Sequence, residues 1–438
     1  MAVRMSRRQL MATLSAVGLT GALAGCGGSS GRRTLTIMGN HPAEITDQDI
    51  GEFEQDHPDV KIKVISVDTT VLTAMFAAGN PPDMVRDQGV NNTPYIVARD
   101  LAEDLDPYVA RSTVLADDRL AEADDVWRYD GQRQGTGPRY GFVKDYSQDG
   151  MFWCNTRAFE KAGVELPSAV EPISYDQWLD LAEQLTQRKG AQYQLYGLDP
   201  PFDVSLTAGL INMVSSAGGS IFSSDFSRVD FSSPESLAAL TWYLRFSKAQ
   251  VGPTVARALP AGGYPTFSGN KLAMVGYGYW LSGQIAGDKP LQDHVQFRPA
   301  PQFGSTRTSP CFAGTGMWIP KRSKNKDLAW AFFEHYFGGR PARRRAQSGW
   351  GLPGITSMLE DLPREKPYQK ESLEVQDREL KHFSVLQYSP YVSFTALDAA
   401  LSKELRKGIE SGLSVGKLAD AVNDTLNPLL RLGKELVS

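Results

Sequence analysis

Apolar and polar positions change period several times within the first hundred residues. Thr34 to Met38 is a short β-type run, and Thr46-Asp47-Gln48-Asp49 starts a helix in a capping-box pattern, with apolar residues at Ile50 and Phe53. Val60, Ile62 and Val64 alternate with lysines, the period of a strand with one covered face. Val71, Leu72, Met75 and Phe76 return to helical spacing. Gly79 ends that helix, and Asn80-Pro81-Pro82-Asp83 turns into a strand at Met84-Val85. The order β-α-β-α-β predicts the start of a doubly wound sheet.

Further along, the spacing is mostly helical. Ser174 to Gln177 is a capping box leading into Trp178, Leu181, Ala182 and Leu185. Ser233-Pro234 sets an N-cap and a first-turn proline before Leu237, Leu240 and Leu244. Asp327 precedes Leu328, Trp330, Ala331, Phe332, Phe333, Tyr336 and Phe337. That helix, apolar over much of its surface and closed by Gly338-Gly339, is expected to be deeply packed. From about Phe394 to Leu436 the chain alternates Ala- and Leu-rich helices. At 438 residues it exceeds the size at which one core keeps growing, so two α/β domains are expected.

Charge excludes one class of partner. A net of −4 with both signs interspersed leaves no basic stripe for nucleic acid and no acidic tail. Catalytic motifs fail in turn. The five histidines, His41, His57, His294, His335 and His382, never take zinc-ligand spacing. Gly-x-Ser-x-Gly occurs around Ser29 and Ser414, but neither follows a strand as a nucleophile elbow must, and Ser414 reads better as the N-cap of a helix through Leu418, Ala419 and Val422. There is no Walker A loop, and Gly218-Gly219 and Gly262-Gly263 lack the dinucleotide fingerprint, so neither cofactor nor metal is expected.

The N-terminus carries an address. Arg7-Arg8 before a short apolar segment resembles a twin-arginine signal, and Leu23-Ala24-Gly25-Cys26 resembles the lipobox of bacterial lipoproteins, whose Cys is acylated and becomes the first residue. Residues 1–25 are thus read as a signal peptide and 26–32 as a lipidated Cys26 with a flexible Gly/Ser tether. The apolar stretch is too short to span a bilayer. This places the folded body on the extracytoplasmic face of the cell membrane. Ordinary secretion with incidental arginines is the alternative route. In an oxidising compartment Cys154 and Cys311 either form a disulfide or stay as two buried thiols.

A series of phrases in fixed order resembles one family. They are Phe53-Glu54-Gln55-Asp56-His57-Pro58-Asp59-Val60-Lys61-Ile62, then Ala77-Ala78-Gly79-Asn80-Pro81-Pro82-Asp83, then Leu101 to Tyr108. Phe152 to Val164 follows, departing from the usual aromatic pair at Trp153-Cys154, and then Phe267-Ser268-Gly269-Asn270-Lys271-Leu272-Ala273-Met274 with Gly278-Tyr279-Trp280. Gly314-Thr315-Gly316-Met317-Trp318-Ile319-Pro320 and Ser323 to Lys326 complete it. Together they resemble the extracellular solute-binding proteins of carbohydrate ABC transporters. The resemblance implies a two-lobe periplasmic-binding-protein-like fold, hinged at crossover strands, with the ligand between the lobes. Crossovers are expected near Asp145 to Gly150, Ser309 to Ala313 and Gly349 to Gly354. Lobe one would be 33–147 plus 314–350, and lobe two 148–313 plus 351–438. The segment Tyr140-Gly141-Phe142-Val143-Lys144 departs from the family's aromatic-Gly-x-Pro pattern.

Sugar chemistry selects the candidate site residues. A pyranose offers an apolar C–H face to flat aromatics and an equator of hydroxyls to polar side chains. By family position Trp280 is the expected platform, with a core role as its alternative. Asp87 and Gln88 follow the Met84-Val85 strand at the carboxyl end where open α/β sheets bind ligands. Gln148 and Asp149 sit at the first crossover, Gly314 and Thr315 at the second, and Asn40 and His41 end the first strand. Tyr277, Phe202 and Trp350 are further aromatic candidates that also fit core or rim. The resemblance implies a lipid-tethered receptor handing a sugar or oligosaccharide to ABC permease subunits. The alternatives are a non-sugar solute (polyamine, phosphorylated polyol or peptide), with a carboxylate-dominated cleft favouring polyamine, or a surface glycan-processing enzyme built on two carboxylates.

Overall fold

The computed structural model describes residues 31–437, so the signal, Cys26 and most of the tether lie outside the described residues. The first three strands are β1 (Arg33–Met38), β2 (Val60–Ile65) and β3 (Met84–Gln88), with β1 between the other two and parallel to both. The helix Asp47–Asp56 between β1 and β2 starts as its sequence predicts. Asp49 N donates to Thr46 Oγ1 at 3.1 Å and Thr46 N donates to the Asp49 carboxylate at 2.9 Å, while Phe53 is buried. The helix Thr69–Ala77 behaves differently from its pattern. None of its residues is buried, and it meets the core through Leu72 and through Phe76, stacked on Trp318 at 6.0 Å.

A hairpin of β4 (Arg128–Tyr129) and β5 (Gln134–Arg139) precedes β6 (Gly141–Val143). The chain then crosses to a second sheet of β7 (Phe152–Asn155), β8 (Gln187–Lys189), β9 (Gln192–Asp199), β10 (Leu272–Val275) and β11 (Val295–Arg298), in the order β11-β7-β10-β9-β8. It returns as β12 (Thr315–Trp318), which enters the first sheet between β3 and β6, antiparallel to both.

Two hydrophobic clusters follow the two sheets. The first gathers Leu35, Ile37, Phe53, Val60, Phe142 and Met317 with the aromatic face of Lys326–Phe333 and the π-type turn Glu334–Gly338, including Trp330, Phe332, Phe333, Tyr336 and Phe337. That helix is as deeply packed as its composition predicts. Ile355 and Met358 belong to the same cluster. The second fills the other sheet and its helices with Trp153, Trp178 and Trp242 at its centre, and reaches through the crossovers to Val85, Val90 and Trp127. The C-terminal helices pack on this second body: Pro367–Leu380 on β11, Phe394–Glu410 on the helix Phe202–Ser216, and Val415–Val437 on the helix Pro234–Ala249.

Three passages of chain join the bodies, and hydrogen bonds lace them together. In the first, Tyr146 exchanges both backbone hydrogen bonds with Leu352 of the third, at 2.9 and 2.8 Å. Asp149 N of the first donates to Pro310 O of the second at 3.2 Å. Gly351 makes this pairing possible: its φ is +84°, and a Cβ there would lie 3.1 Å from Asp145 Cβ. Cys154 lies on β7 and Cys311 in the second passage, and both are free and buried, so the two-thiol reading describes the molecule.

Candidate functional site

The passages form the floor of a cavity of about 240 Å³ between the two bodies. The first body contributes Glu44, Gln88, Gly314 and Thr315. The first passage supplies Lys144, Asp145, Tyr146, Ser147 and Asp149, the second Cys311 and Ala313, and the second body Trp280, with Trp350 at the rim. A second concavity of about 580 Å³ shares Glu44, Lys144 and Trp350 and is lined on the first body by Asp49 and Arg344, which are paired at 2.6 Å. The two form one groove.

Topology explains the polar half. Gln88 is the last residue of β3 and pairs with Thr315 of β12, so both stand at the carboxyl end of the parallel strands. Gly314 bends the chain into β12 with φ +53°, and a Cβ there would strike Val126 at 2.7 Å. Asp87 shares the strand but, because side chains alternate, not the face. It accepts hydrogen bonds from Gln88 N at 2.8 Å and Asn92 Nδ2 at 2.7 Å, and does not line the cavity. Burial raises its carboxyl above the usual range against those donors.

The other sequence candidates divide similarly. Gln148 is fully buried and spends its amide on Ser309 O (2.6 Å), Glu379 O (2.7 Å) and the Gln376 side chain, so it ties the first passage to the second and to the helix Pro367–Leu380. Its neighbour Asp149 lines the cavity. Asn40 reaches the groove only through Glu44, which it hydrogen-bonds, and His41 is exposed and paired with Asp47 at 2.9 Å. Trp280 is half-buried, with Tyr277 stacked behind it at 5.1 Å and Trp350 beside it at 5.9 Å. Phe202 lies elsewhere. It lines a separate cavity of about 270 Å³ in the second body and sets its ring edge-on to Trp242 and Tyr243.

Sequence reasoning missed Glu44, Asp145, Tyr146 and Ser147, and noticed Lys144 only as a departure from the family phrase. Glu44 meets Arg86 in a two-pronged pair, at 2.9 and 3.1 Å. Burial pushes its carboxyl up, but the Arg86 hydrogen bonds and the charges of Lys144 and Arg86 outweigh this and hold it below the usual range. Lys144 is paired with Asp145. Asp149 stands apart: burial pushes its carboxyl up to about 7, only partly offset by hydrogen bonds from the Phe312 N–H, 2.8 Å away, the Cys311 thiol and the Ala313 N–H. The groove therefore combines aromatic faces with hydrogen-bonding groups whose charges are largely matched. Among the described residues no cluster of His, Cys, Asp and Glu is placed to hold a metal ion, and no helix is long and apolar enough to cross a membrane.

Known proteins share this architecture. An ABC substrate-binding protein from Listeria monocytogenes in complex with cycloalternan superposes with a TM-score of 0.74 at 22% identity, covering 91% of this chain and 98% of its own. The GacH receptor of Streptomyces glaucescens, solved unliganded and with acarbose, gives 0.69 at 19%, covering 91% and 99%. A solute-binding protein from Thermotoga lettingae bound with α-D-tagatose gives 0.70 at 20%, covering 91% and 100%. No curated protein matches the chain. The family profile described as bacterial extracellular solute-binding protein matches residues 40–338, well over half of the sequence. With its two lobes and the groove between them, the chain belongs to the bacterial extracellular solute-binding protein family.

Proposed function

We propose that the protein captures a sugar or oligosaccharide in the interlobe groove and delivers it to the permease of an ABC transporter. The observation that carries this is the cavity that Trp280 and Trp350 share with the hydrogen-bonding groups of Gln88, Asp149 and Thr315, with buried Tyr277 stacked behind Trp280. A sugar ring needs both halves: a flat apolar platform and acceptors for its hydroxyls. The solved relatives described as binding cycloalternan, acarbose and tagatose support the same solute class. A polyamine fits less well, because Arg86 and Lys144 already neutralise Glu44 and Asp145. On this reading the protein binds and releases its solute unchanged.

The same proposal places the protein outside the cytoplasm, held to the membrane by acylated Cys26, with Arg7-Arg8 directing export. Replacing Cys26 with Ser is expected to move the protein from the membrane fraction to the soluble one, since each buried lipid CH₂ contributes about 0.8 kcal/mol. Retention after washing would overturn the anchor. Solute class is tested by thermal shift of residues 27–438 against maltose, mannobiose, tagatose and spermidine. A true ligand at 100 times its dissociation constant adds about 2.7 kcal/mol of stability. A response to spermidine alone would overturn the sugar reading.

A further inference from the structure

Asp149 touches both the groove and the machinery that joins the lobes. Its Oδ2 accepts from Phe312 N at 2.8 Å and lies 3.8 Å from Cys311 Sγ, while its own N–H donates to Pro310 O at 3.2 Å. All three partners are in the second passage, yet Asp149 belongs to the first and lines the cavity with Trp280 at only 4% exposure. We propose that Asp149 couples solute capture to the crossovers: a solute hydroxyl donating to the carboxylate adds to the Phe312, Cys311 and Ala313 donors that already tie it to the second passage, and capture releases up to one proton to solvent. This rests on the hydroxyl-rich solute argued above.

The physical argument is one of unequal solvation. Burial pushes the Asp149 carboxyl up to about 7, so its neutral form is favoured toward neutral pH far more than that of an exposed aspartate. Hydroxyl donors from a solute favour the ionised form and pull that value down, so the bound state holds fewer protons. By linkage, affinity then rises as pH climbs through the unliganded value.

The surrounding groups do not supply the same signal. From the first passage, Asp145 is paired with Lys144, and burial pushes the Tyr146 hydroxyl further up. From the second, burial also pushes the Cys311 thiol up and away from neutrality. From the first body, Glu44 is held low with Arg86 as its partner, and behind Gln148 the helix Pro367–Leu380 presents Glu379, paired with Arg307.

Calorimetric titration of residues 27–438 with maltose, mannobiose and tagatose, at pH 5.5 to 8.5 in two buffers of different ionisation heat, tests this. The binding sugar is expected to gain roughly tenfold in affinity across the range, with a buffer-dependent heat showing release of up to one proton. Asp149→Asn keeps an acceptor for Phe312 N and is expected to flatten the pH profile and abolish proton release. Sugar binding without proton release in the wild type, or release that survives in Asp149→Asn, would overturn the coupling. The wild-type proton count decides the matter even if the variant does not fold. Absence of heat with every sugar at every pH would instead overturn the carbohydrate reading, and this proposal with it.

Discussion

The second body and the groove use the same residue type in opposite ways. Trp153, Trp178 and Trp242 are each at most 1% exposed, and Trp153 and Trp242 give their indole N–H to backbone carbonyls, Gly278 O at 3.0 Å and Tyr175 O at 2.7 Å. The groove's aromatics instead form a gradient, from buried Tyr277 through half-buried Trp280 to Trp350 at 39% exposure. Core rings are covered on every side. In the groove Tyr277 braces Trp280 from behind, and Trp280 and Trp350 leave area uncovered. Aromatic content alone thus says nothing about a site; what separates the two sets is whether a ring still has a face to give.

The comparison breaks if the two sets respond alike to truncation. Trp242→Ala is expected to cost about 3 to 5 kcal/mol of folding stability, because a buried ring leaves a cavity. Urea unfolding measures it, and a loss under 1 kcal/mol would mean that the core does not depend on this ring. Trp280→Ala is expected to cost on the order of 2 kcal/mol in sugar affinity, roughly thirtyfold, and less than that in unliganded stability. Titration and unfolding on the same variant decide it, and intact binding with a destabilised protein would return Trp280 to the core set.

Aspartates extend the comparison from shape to charge. Asp124, 1% exposed, accepts from Val143 N at 2.9 Å and is pushed up to about 7 by burial, as Asp149 is, but it does not line the groove. A carboxyl whose folded value lies above its unfolded one is stabilising in its neutral form, fully so below about pH 4, and that contribution is lost as pH rises toward and through 7. Asp124→Asn is expected to remove up to roughly 2 to 3 kcal/mol of the stability lost between pH 5 and 8, with or without sugar. Unfolding curves at both pH values check it; a slope that changes on adding sugar would erase the distinction from Asp149. Smallest of all, Trp350→Ala is expected to cost about 0.5 to 1 kcal/mol in affinity and under about 0.5 kcal/mol in stability. A larger stability loss would move Trp350 from rim to framework.

Local chemistry made much of the fold readable in advance. The capping boxes at Thr46 and Ser174 and the lysine-spaced Val60, Ile62 and Val64 appear where their patterns put them. The helix Thr69–Ala77 shows the limit of such reading, since an apolar spacing names a face without saying what will cover it. In the groove, Gln88, Asp149, Trp280, Gly314, Thr315 and Trp350 come together, while Asp87 and Gln148 are engaged elsewhere. Asp87 was avoidable, because adjacent residues on one strand cannot both face one side. Glu44 was not: nothing local marks it in the turn after β1, and its role in the groove depends on Arg86, 42 positions away on β3.

The paired passages also restrict how the molecule can move. A ribbon of two strands clamped at Tyr146 and Leu352, with a third stitched alongside through Asp149 and Pro310, is compliant to bending across its face and stiff to shear in its plane. Twisting one lobe about the other would tear backbone hydrogen bonds, whereas rocking merely flexes them. Rocking is therefore the motion these hydrogen bonds oppose least. A pair of patches, one on each lobe, would under such rocking change mainly in separation and little in twist.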